Sequence, residues 1–116
     1  MNLKKIVFIE SRCKMNSIDR VTSKSIITNK PYCLECGSYH SLELHHCIHG
    51  ANRKKADQDG LFVLLCTNCH KKLHNVSSEL DLKYKRLAQK SYMKYHTLEE
   101  FMTRYHINYL WEDKDD

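Results

Sequence analysis

The chain has 116 residues, 41% of them apolar, with six cysteines, eight histidines, three glycines and one proline, which suits one folded, helix-rich domain and excludes a linker or low-complexity segment. The formal charge is +5, and the tail 112–116 holds four acids and one base, leaving 18 bases against 10 acids before it, a balance that favours a polyanionic partner. No apolar run approaches the roughly 20 residues that cross a bilayer, and Ile6-Val7-Phe8-Ile9 is too short for the core of a signal peptide, so a membrane protein is excluded and a cytoplasmic one expected.

Residues 1–30 carry little motif content; 5–10 reads as a short strand and 17–27 as a helix or loop. Pro31 stops what precedes it. Next, Cys33 and Cys36 flank a tight turn suited by Gly37, a knuckle that lets both sulfurs face one ion. Leu42, Leu44 and His46 alternate with Ser41, Glu43 and His45, the period of a strand ending at the double histidine. A polar loop over 50–60 follows, then Leu61-Phe62-Val63-Leu64-Leu65, a second strand apolar on both faces. The two make an antiparallel hairpin.

Thr67 or Asn68 can cap a helix that starts at the Cys66/Cys69 pair and runs through His74, with His70 and His74 on one face. Ser78-x-x-Asp81 is a capping-box variant ahead of Leu80, Tyr84, Leu87 and Ser91. Thr97-x-x-Glu100 opens a further helix whose Leu98, Phe101, Met102, Tyr105 and Tyr109 share a face. The expected class is α+β: an extension at 1–30, a core at 31–76, a helical extension packed on it at 77–110, and an acidic tail at 111–116.

The spacing Cys33-x2-Cys36 and Cys66-x2-Cys69 places four thiolates where two knuckles converge on one tetrahedral Zn²⁺. In a reducing compartment these are not expected to be disulfides. A redox pair would need a βαβ context that neither has. Cys13 and Cys47 are left over and read as free thiols.

With sulfur claiming one ion, the histidines need another account. His45 and His46 end the first strand; His70 and His74 share a helix face after the second. Imidazoles bind divalent transition ions, and three protein ligands with open positions make a catalytic site in character. His40, His49, His96 and His106 read as solvated or packed.

The order Cys-x-x-Cys, strand, His-His, loop, strand, Cys-x-x-Cys-His-x-x-x-His resembles the HNH nucleases. The run His45-His46-Cys47-Ile48-His49-Gly50-Ala51-Asn52-Arg53-Lys54-Lys55, with Gly60-Leu61-Phe62-Val63-Leu64-Leu65-Cys66, is similar to small HNH proteins of phages and prophages. The resemblance covers 24–110. It implies a ββα-metal (His-Me finger) core and a metal-dependent DNA endonuclease of phage or prophage DNA processing or recombination, acting in the cytoplasm of a bacterial host. It also implies structural Zn²⁺ and a catalytic Mg²⁺, Mn²⁺ or Ni²⁺. Carried over residue by residue, His46 matches the general base and His45 stands where the family has an Asp or His metal ligand. His70 matches the helix ligand, and His74 completes the set. The family's asparagine lies just before the second strand, where this chain has Asp59-Gly60; Asn52 is the one candidate in the loop for that role.

The chemistry fits. An ion held by His45, His70 and His74 keeps positions open for phosphate and water, and a neutral His46 can take the water's proton. Both rings would have to turn inward from adjacent positions, which needs a twist or bend at the strand end. Arg53, Lys54, Lys55, Lys71 and Lys72 would meet DNA backbone phosphates without reading bases, so low sequence specificity is expected. Two other readings stay open. A non-catalytic zinc module for nucleic-acid or protein binding leaves the paired histidines idle. A redox or metal-handling protein leaves the basic charge and the strand-strand-helix order unexplained. Oligomeric state has no signature in the chain.

Overall fold

Asn16 opens the first helix, its side chain accepting the Asp19 amide at 2.8 Å as an N-cap does. The structure, a computed structural model, describes residues 16–111; the strand expected at 5–10, Cys13 and residues 112–116 lie outside them. In chain order come α1 (Ser17–Lys24), β1 (Leu42–His46), a 3₁₀ turn (Gly50–Asn52), α2 (Arg53–Gln58), β2 (Phe62–Cys66), α3 (Thr67–Asn75), α4 (Ser78–Tyr92) and α5 (Leu98–Tyr105). This is an α+β arrangement with a two-stranded antiparallel sheet.

Register pairs Leu42 with Cys66, Leu44 with Leu64, His45 with Val63 and His46 with Phe62. Because side chains alternate along a strand, one face carries Leu44, His46, Phe62 and Leu64, and the other carries Glu43, His45, Val63 and Leu65. Val21 of α1 covers the first face with Phe62 and Leu64. The second face is the main core, where Val63 and Leu65 meet Leu73, Tyr84, Ala88, Tyr92, Phe101 and Tyr105. Covered on both sides, β2 is buried at every residue, as its unbroken apolar run requires.

The outer edge of β2 is also covered. Ser25 Oγ donates to Phe62 O at 2.7 Å, Ile26 N to Gly60 O at 2.9 Å and Leu34 N to Leu64 O at 2.9 Å, so backbone groups that would otherwise be open to another strand are paired. Gly60, two residues ahead of β2, has φ +76°, and a Cβ there would sit 2.4 Å from Lys24 O. Only glycine fits.

Four local readings are corrected. The loop expected at 50–60 contains α2, whose Ala56 is buried; Lys54, Lys55 and Ala56 favour helix strongly enough to form one without an apolar stripe. The N-cap of α3 is Cys66, whose sulfur accepts the Cys69 amide at 3.4 Å, and not Thr67 or Asn68. The N-cap of α4 is Ser77, whose Oγ accepts the Leu80 amide at 3.0 Å, one residue before the expected Ser78. Thr97 and Glu100 do form the full capping box, but α5 ends at Tyr105 because His106 adopts a left-handed conformation at φ 64°. Tyr109 is therefore off the helix, and Leu98 and Met102 are exposed.

No helix among the described residues is long and apolar enough to cross a membrane.

Candidate functional site

Two knuckles of matching geometry bring the cysteines together. Cys36 N lies 3.4 Å from Cys33 Sγ, and Cys69 N 3.4 Å from Cys66 Sγ, so each pair curls its backbone around the first sulfur. Gly37 turns the first knuckle at φ +83°, donating to Cys33 O at 2.8 Å. The four sulfurs lie within 4.8 Å of one another. Cys36 Sγ and Cys66 Sγ are 3.7 Å apart, too far for a disulfide at about 2.05 Å and close to the ~3.8 Å edge of a tetrahedron with 2.3 Å metal–sulfur bonds. Burial alone would raise the Cys33 thiol, but amides of Cys66, Cys36 and Glu35 bring it down to about 7. Burial and the neighbouring sulfurs push Cys69 up. Four thiols this close lose their protons together only when a cation joins them. Cys47, by contrast, is fully buried in the core and its thiol is raised by that burial; it is a packing residue.

The histidines form a second group beside it, His70 following Cys69 directly in the chain. His45 is 1% exposed, and neither Nδ1 nor Nε2 has a hydrogen-bond partner. Burial, followed by the nearby His70, His49 and His74, lowers its pKa to about 3, so the ring is neutral. One nitrogen then carries a lone pair and the other a proton, and leaving buried polar groups unmatched costs about 1–3 kcal/mol each.

Its neighbours point their nitrogens the same way. His70 Nδ1 lies 2.7 Å from Glu43 Oε1, which fixes the proton on Nδ1 and the lone pair on Nε2. His70 Nε2 and His74 Nε2 are 3.2 Å apart, between the ~3.0 Å of ligands at right angles and the ~3.4 Å of a tetrahedron with 2.1 Å bonds. Rings of His45 and His70 are 5.0 Å apart, those of His45 and His74 5.5 Å. His45, His70 and His74 thus offer ligand atoms within 4.8 Å of one another. The carboxylate behind His70 is the arrangement that orients metal-binding imidazoles.

His46 is not drawn into this group. It remains in register opposite Phe62, without the bend that would turn both rings inward, so alternation sends it to the opposite face from His45. There Asp57 Oδ1 lies 2.6 Å from its Nδ1 and an Arg53 guanidinium nitrogen 3.1 Å from its Nε2. The first contact holds the proton on Nδ1. The second donates to the Nε2 lone pair.

The other expected residues divide. Asn52 Nδ2 donates to Tyr105 O at 2.9 Å and Lys55 Nζ to Arg104 O at 2.9 Å, so both fasten the 3₁₀ turn and α2 to the end of α5. Lys54, Lys71 and Lys72 are exposed. Sequence reasoning gave Glu43, Asp57 and Asp81 no part in the site, and read His49 as solvated or packed, whereas His49 Nε2 lies 2.9 Å from Asp81 Oδ1. Glu43 carried a signal, standing two residues before His45 on the same strand face.

Protein-family models, curated proteins and solved structures yield no match to this chain.

Proposed function

We propose that the protein is a metal-dependent DNA endonuclease of the HNH type, with a ββα-metal core and a four-cysteine Zn²⁺ that stiffens it. The observation that carries this reading is His45: a buried imidazole with both nitrogens unpartnered, facing the nitrogens of His70 and His74. Packing leaves such a ring uncompensated, and a cation compensates it.

His45, His70 and His74 would hold a divalent ion, which when bound would supply Lewis-acid stabilisation of charge on the phosphate and on the leaving oxygen. The chain's own residues do the rest. Asp57 holds the Nδ1 proton of His46, so that Nε2 can take a proton from the attacking water. Arg53, now against that nitrogen, transfers its guanidinium to a phosphate oxygen when substrate arrives and frees the lone pair. The water oxygen bonds to phosphorus as the ester bond breaks, and the departing oxygen takes a proton from solvent. His46 stands on the opposite strand face from the three ligands, so its service as base requires the end of β1 to bend and turn its ring inward when substrate binds. Exposed Lys54, Lys71 and Lys72 add sequence-independent attraction to the duplex. Asn52 serves by fastening the turn that precedes Arg53 and Asp57.

Plasmid nicking tests this directly. Purified protein with its cysteine zinc in place should relax supercoiled DNA only with added Mg²⁺, Mn²⁺ or Ni²⁺. His46→Ala should lower the rate about 10²–10⁴-fold with zinc content and DNA binding retained. Undiminished nicking by that variant would remove His46 as base, and absence of nicking with every ion would leave a zinc-stabilised binding module.

A further inference from the structure

His49 and Asp81 were assigned no role in the site above, yet they adjoin it. Asp81 lies in the first turn of α4, 32 residues from His49 in the chain, and its Oδ1 is 2.9 Å from His49 Nε2. The His49 ring is 5.5 Å from those of both His45 and His74. His45, His49 and Asp81 offer ligand atoms within 4.8 Å of one another, as do His45, His70 and His74. Both sets depend on His45, the ring whose buried nitrogens have no other partner.

We infer that the cluster is one metal centre with two seats sharing His45: an all-imidazole seat with His70 and His74, and a carboxylate seat with His49 and Asp81. This rests on the reading of the histidine cluster as a metal centre. A neutral imidazole has one lone pair, so His45 serves one ion at a time and the two seats are alternatives. In the metal-free cluster the 2.9 Å contact between His49 Nε2 and Asp81 Oδ1 is a hydrogen bond to the carboxylate, and an ion entering the second seat takes the place of its proton, the spacing being close to the ~3.0 Å between adjacent ligands on an ion with 2.1 Å bonds. Lys85 Nζ occupies the other oxygen, Oδ2, at 2.9 Å, leaving Oδ1 as a single ligand atom.

Access supports it too. A cavity of about 330 Å³ between the end of α3 and the start of α4 has His49, His74 and Asp81 in its wall, with Ser77 and Ser78. It is large enough for an ion with several waters. The donor chemistry separates the seats: three imidazoles suit Zn²⁺ and Ni²⁺, whereas two imidazoles and a carboxylate admit harder ions such as Mn²⁺. The carboxylate seat therefore links ion choice to the placement of α4.

Mn²⁺ titration of the full chain, zinc-loaded at the cysteines and followed by the paramagnetic resonance of free Mn²⁺, tests this. Wild type should take one Mn²⁺ per chain at this cluster, lost in His45→Gln. The double variant His70→Gln/His74→Gln should keep that Mn²⁺ within about tenfold, and adding Asp81→Asn or His49→Gln to it should abolish binding, with zinc content and helical circular dichroism unchanged. Loss of Mn²⁺ in the double variant, with wild-type affinity in single Asp81→Asn and His49→Gln variants, would overturn the second seat and leave the His45, His70, His74 centre intact. Two Mn²⁺ per chain lost together in His45→Gln would overturn the sharing.

Discussion

The cysteine and histidine clusters both draw on the hairpin and on α3, with Cys69 and His70 adjacent, yet they are built on different principles. The sulfurs come from two short knuckles, each closed by its own backbone amides, and the four together could fill every position of one tetrahedral ion. The histidine group draws on β1, the turn after it, α3 and α4, leaves a buried ring unpartnered and opens on a cavity. A closed site holds its ion to shape the chain; an open one holds its ion to meet something else.

The largest expected effect breaks the comparison at the sulfur end. Cys69→Ala should release zinc and unfold the hairpin and α3, because structural zinc contributes on the order of 10 kcal/mol to small sites; loss of far-ultraviolet circular dichroism on chelation of the native protein checks the same point. Next, Glu43→Gln should weaken metal binding at the histidines by about 10–100-fold, since it removes the carboxylate that orients His70, while zinc at the cysteines stays stoichiometric in calorimetry and elemental analysis. The smallest effect falls on the scaffold: Ser77→Ala removes the cap of α4 and should cost about 0.5–2 kcal/mol in denaturant unfolding. It should disturb only the seat that uses Asp81.

Much of this arrangement was legible in the chain. The two strands announced themselves by period and by an unbroken apolar run, and the thiol cluster by its twin spacings, because those signals are local. The α2 helix was missed because six mostly polar residues have no stripe to read. His49 and Asp81 escaped for a different reason. They meet only when α4 folds back over the turn after β1, and no periodicity encodes a contact between residues 49 and 81. The opposed facing of His45 and His46 was there to be read, since adjacent strand residues point to opposite faces; the expectation that both turn inward set that rule aside, and the unbent strand end restores it.

The account stands on two metal centres of unlike chemistry in one small chain. Elemental analysis after equilibration with excess Zn²⁺ and desalting, on wild type and His45→Gln side by side, tests this most directly. Two zinc ions per wild-type chain and one per variant chain, with the fold intact in both, is the predicted result. A single zinc in both proteins would contradict it.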